Sequence, residues 1–140
     1  MSDARDSADD SLRWVAYARE DLLAAATLLK ANKGLTKQIG YHSQQAAEKA
    51  IKAALIFLQV KFPFVHDLDE LRNRLPDQWK CVEDYPELDA LITDFAVEGR
   101  YPGTLDEPAE EDAQKAFQQA SGVLASIEQD LVQCGLNLER

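Results

Sequence analysis

The stretch from residue 41 to residue 64, YHSQQAAEKAIKAALIFLQVKFPF, constrains the fold more than any other part of the chain. Ala46, Ala47, Ala50, Ala53 and Ala54 leave little side chain between this segment and a neighbour, so another helix can approach it closely. Ile39, Ala46, Ala50, Ala54, Phe57 and Leu58 share one face at helical spacing, while Ile51, Leu55 and Ile56 lie partly outside it. A helix this apolar in its C-terminal half is either the central member of a bundle or also part of an interface between two copies. The pattern predicts a helix over residues 37–60, with Pro63 as its stop.

Helical periodicity governs the remainder. Trp14, Ala18, Leu22, Ala25 and Leu29 recur at steps of three and four, which predicts a helix over 9–31 with Ser7 and Asp10 as a capping box and Gly34 as its end. Leu68, Leu71 and Leu75 mark a short third helix that Pro76 stops, and residues 76–86 look like an irregular connection. A fourth helix is expected over 87–98, carrying Leu88, Leu91, Ile92 and Phe95 and closed by Gly99. After a loop at 100–107, Pro108 opens a last helix whose first turn holds Glu110, Glu111 and Asp112, where carboxylates suit the positive end of the helix. Its stripe is Ala113, Ala116, Phe117, Ala120, Leu124, Ile127 and Leu131, and Gly135 stops it. No sustained alternation and no Asn-Gly or Asp-Gly turn suggests a strand. The expected architecture is all-α: one domain over 1–140 with its core at about 9–135, a five-helix, up-and-down antiparallel bundle. Residues before 9 and after 135 should fray.

Charge and composition narrow the partners. A chain of 140 residues with 46% hydrophobic content can bury a proper core. The net charge of -10 repels nucleic acid and anionic membrane wherever basic residues do not cluster, which makes RNA an unfavoured partner. Acidic residues gather near the ends (Asp3, Asp6, Asp9, Asp10, and 106–112), whereas Lys49, Lys52, Lys61, Arg72, Arg74 and Lys80 occupy the middle. Cys81 and Cys134 show neither metal nor redox spacing, residues 1–11 are too polar for a secretory signal, and the apolar run 53–58 is too short to cross a bilayer. A cytoplasmic protein without metal, cofactor or membrane contact is the expectation. His42 with Asp21 or Glu48 makes the only conceivable metal pairing, and no spacing asks for it.

Three places could carry chemistry. Lys49 and Lys52, one turn apart, form either an anion patch for a nucleotide phosphate or an exposed edge paired with Glu48 and Gln45. His66 either serves proton transfer or simply starts the third helix, with Asp67 and Glu70 supplying the cap. Arg100 and Tyr101 close the fourth helix, where Arg can grip phosphate in a bidentate fashion and Tyr can stack on a base; alternatively Arg bridges to an acid and Tyr fills core volume. Trp14 and Trp79 are expected to pack.

The run QQAAEKAIKAAL, the start His66-Asp67-Leu68 and the end Arg100-Tyr101-Pro102, in that order, resemble the HEPN domain family over residues 14–131. The resemblance implies a small helical bundle, usually a homodimer. It also implies a non-catalytic nucleotide-binding or interaction module, often beside a minimal nucleotidyltransferase, with Lys49, Lys52, His66, Arg100 and Tyr101 around the nucleotide. The active branch of that family offers an alternative, a metal-independent ribonuclease toxin of a toxin–antitoxin pair. There an Arg, four to six residues and a His do the work. This chain has Lys61, four residues and His66 instead, and lysine is a point charge without the arginine fork. A purely structural dimerisation module is the third possibility.

Overall fold

The computed structural model describes residues 2–64, 67–86, 88 and 110–138. Within them lie α1 (Ser2–Ala31), α2 (Thr36–Phe57), α3 (Leu68–Arg72), α4 (Lys80–Asp84) and α5 (Glu110–Gln133), and no strand occurs among the described residues. The expected helix at 87–98 lies outside the described residues except for Leu88, which is buried.

The alanine ladder does what its small side chains allow. Ala46, Ala47, Ala50, Ala53 and Ala54 are fully buried, and α2 packs against both α1 and α5. Asn32 and Gly34 take positive φ in the turn that folds α2 back along α1, and the Ser11 hydroxyl donates to the Ala53 carbonyl at 2.7 Å across that pair. The core combines Val15 and Ala18 of α1, Ile51 and Leu55 of α2, and Val123, Ile127 and Leu131 of α5, with Leu68 and Leu71 of α3 on the same cluster. Ile51 and Leu55, the residues that gave α2 its apolar surplus, are fully buried within one chain, and Ile56 is half-buried. Ile51 and Leu55 are thus satisfied without a second copy.

The helix ends differ from expectation in instructive ways. α1 begins at Ser2, so Ser7 and Asp10 lie inside the helix and are not its cap. α2 stops at Phe57, before Pro63 is reached. The Val60 amide donates to the Leu55 carbonyl at 2.9 Å and the Gln59 amide to that of Ile56 at 3.0 Å, with Gln59 at φ +59°. This is a Schellman closure. α5 ends with the same pair of bonds, Leu136 to Leu131 and Gly135 to Val132, both 3.0 Å, with Gly135 at φ +102°. The chain beyond Gly135 is not frayed at once: Leu136 is buried and Leu138 packs against the core. Finally, the connection at 76–86 contains α4, too short to announce itself by periodicity.

Candidate functional site

Part of the polar complement of α2 is buried. Gln44, Glu48 and Lys52, one turn apart in sequence, are all buried, with Glu48 at 4% and Lys52 at 8% exposure. The Lys52 ammonium donates to Glu48 at 2.8 Å, the Gln44 amide donates to the other Glu48 oxygen at 2.7 Å, and the Gln45 amide donates to Gln44 at 2.7 Å. Lys52 also lies over the Phe62 ring, 5.8 Å from its centre. A buried ion pair owes its persistence to such extra partners, and removing one member strands the other charge.

Lys49 points elsewhere. Its ammonium donates to Asp21 of α1 at 2.5 Å, and the second Asp21 oxygen meets His42 Nδ1 at 2.9 Å. The two lysines expected to form one anion patch thus serve two separate carboxylates, and each positive charge is already matched. Among the described residues no group of three metal-ligating side chains exists, so Asp21 and His42 act as an interhelical tie.

The loop after α2 is different. Lys52, Lys61, Arg72, Arg74 and Lys80 are the cations between 52 and 80. Arg72 pairs with Asp69 at 2.5 Å, Arg74 with Glu70 at 3.8 Å and Lys80 with Asp84 at 3.3 Å. Lys61 is exposed and has no ion-pair partner among the described residues. Its backbone is nonetheless fastened, because the Arg74 guanidinium donates to the Lys61 carbonyl at 3.5 Å, the Schellman closure precedes it, and Phe62 is pinned under Lys52. Past Pro63 the Phe64 side chain is fully exposed. At the far side of the loop Asp67 caps α3, its carboxylate accepting from the Glu70 amide at 3.2 Å, as expected. His66, Arg100 and Tyr101 lie outside the described residues.

Two polar residues were not foreseen. Asp130 of α5 is buried and accepts from the amides of Lys80 and Cys81 at 3.1 and 3.2 Å, capping α4 from 49 residues away in sequence. Asp69 accepts from the Leu88 amide at 2.8 Å while holding Arg72. No local motif betrays either contact, since both join distant segments. The Gln44-Glu48-Lys52 chain corrects the expected exposed edge of Glu48 and Gln45, since Glu48 and Lys52 are buried.

The model of the HEPN domain matches residues 11–130. The chain belongs to the HEPN family. Its likeness to the protein named "Putative toxin MJ1304" of Methanocaldococcus jannaschii is 32% identity, covering 81% of this chain and 83% of that protein. The crystal structure of TT1696 from Thermus thermophilus superposes with a TM-score of 0.68 at 25% identity, over 93% of this chain and 99% of that one. An archaeal HEPN homologue, ST0689, gives 0.61 at 23%, over 85% and 95%, a likeness of fold. Of the cations in the middle of this HEPN chain, the one left uncommitted among the described residues is Lys61, five positions before His66, and it does not lie on α2.

Proposed function

We propose that this HEPN chain is the toxin-type member of a toxin–antitoxin pair and acts on RNA at the loop joining α2 to α3. The observation that carries the proposal is Lys61: exposed, unmatched in charge among the described residues and held on a fastened loop, in a chain similar to a protein named as a toxin. In this scheme Lys61 contacts the scissile phosphate and His66 handles the proton. The ribose 2′ oxygen attacks phosphorus and passes its proton to His66. The bond to the 5′ oxygen breaks, water protonates that oxygen, the hydroxide so formed takes the proton back from His66, and a 2′,3′-cyclic phosphate remains. Charge building on the phosphate is met by one ammonium instead of a guanidinium fork, so turnover should be slow.

The native chain, incubated with a structured RNA in the presence of EDTA, should give slow cleavage with cyclic-phosphate ends. His66→Ala should abolish it, and Lys61→Arg should raise it by about tenfold, the worth of roughly 1.4 kcal/mol in the transition state. Absence of cleavage, or cleavage unaffected by His66→Ala, would overturn the catalytic reading. The net charge of -10 and the lysine at position 61 favour a second reading, a non-catalytic module held by a nucleotidyltransferase partner.

A further inference from the structure

We infer that Phe64 is a base-stacking residue, and that Lys61 and Phe64 together form a contact for single-stranded RNA. This inference rests on the RNA reading above and extends it to a residue with no catalytic task. Phe62 and Phe64 flank Pro63 and have opposite fates: Phe62 is half-buried beneath the Lys52 ammonium, whereas the Phe64 ring is fully exposed. The inward ring anchors the segment that displays the outward one. Anchoring is reinforced upstream by the Schellman closure, in which Gln59 takes a left-handed conformation that glycine occupies at the equivalent place after α5. It is reinforced laterally by the bond from Arg74 to the Lys61 carbonyl. These ties fix the backbone of the segment that carries the exposed ring and an ammonium unmatched among the described residues, which preorganises both for contact.

The chemistry around the ring selects its occupant. The other large exposed hydrophobic residues, Tyr17, Leu23, Tyr41 and Val132, belong to α1, α2 and α5, not to this loop. Among the described residues Phe64 is the one fully exposed large hydrophobic of this loop, and a single exposed ring is a poor seat for a protein, whose anchors are ringed by further contacts. With the Lys61 cation three residues away and unmatched by any carboxylate among the described residues, it matches a nucleotide, which offers a flat base and an anionic phosphate. Stacking tolerates any base, so the contact should bind single strands with little sequence preference.

The test is fluorescence anisotropy with a labelled, unstructured RNA octamer at low salt, on the full chain and on Phe64→Ala, Phe64→Trp and Lys61→Ala. Phe64→Ala should weaken binding by about 5- to 150-fold, the usual worth of one stacked base. Phe64→Trp should keep the affinity and show tryptophan emission quenched by RNA, a signal that a merely structural role would not produce. Weaker binding by Lys61→Ala with Phe64→Ala unchanged would leave the RNA reading standing and overturn the stacking inference. No binding by the native chain would overturn both. A Phe64→Ala chain that changes its self-association but not its RNA affinity would overturn the inference by assigning the ring to a contact between copies.

Discussion

Gly122 lies within α5 where the Tyr85 hydroxyl packs, and a methyl group added there would collide with it. Elsewhere in a helix, alanine for glycine would stabilise by about 0.5–1 kcal/mol; here the ring would have to swing out, at a cost of about 1–3 kcal/mol. Gly122→Ala should therefore lower stability in denaturant titration, while the same change in a Tyr85→Ala background should raise it. The two cysteines also separate by surroundings. Burial pushes the Cys81 thiol up to about 11 from an ordinary 9.0, Asp130 adds to the rise, and a hydrogen bond with Ser126 and the charge of Arg72 oppose it. Cys134 is exposed. A thiol reagent should label Cys134 in the native chain and Cys81 only on unfolding. The raised value also makes stability depend on pH. Below about pH 9 the thiol is neutral in both states; between about 9 and 11 only the unfolded chain ionises, so the unfolded state gains and stability falls, by at most about 3 kcal/mol. Cys81→Ala should lose this part of the alkaline decline.

At the scale of elements, α4 depends on α5. A helix of five residues cannot hold itself together, and its N-cap residue, Trp79, gives no side-chain cap. Asp130 supplies both missing acceptors. Asp130→Ala would leave two amides without their partner and should cost about 2–3 kcal/mol, with hydrogen exchange at Lys80 and Cys81 rising ahead of that in α5. Asp130→Asn keeps one acceptor oxygen and should fall between. A global loss of protection with no local difference would show that α4 and α5 open as one unit. The same scale accounts for the separate partners of the two α2 lysines. On one helix Lys49 and Lys52 are neighbours, but α1 presents Asp21 to the first, while Glu48 and Phe62 close on the second.

For the whole molecule, the helical class, the central place of α2 and the cap at Asp67 could be read from local spacing, because the forces that set them act within a few turns. α4, the buried role of Asp130 and the partners of Lys49 could not, since each arises where segments tens of residues apart meet. Lys61 was legible as a candidate through the resemblance, by its place before His66; its freedom from any carboxylate among the described residues was not. The order of the helices along the chain has a further consequence. α2 is complete at Phe57, yet part of its cover, α5, ends at Gln133. At a synthesis rate of about 5–20 residues per second, the α1–α2 pair waits roughly 4–15 seconds on the ribosome with an alanine-lined face open to its surroundings. Translation stalled in that interval would release a fragment whose exposed face invites chaperones and proteases, so a message cut short upstream of α5 should yield rapid turnover instead of a half-active bundle.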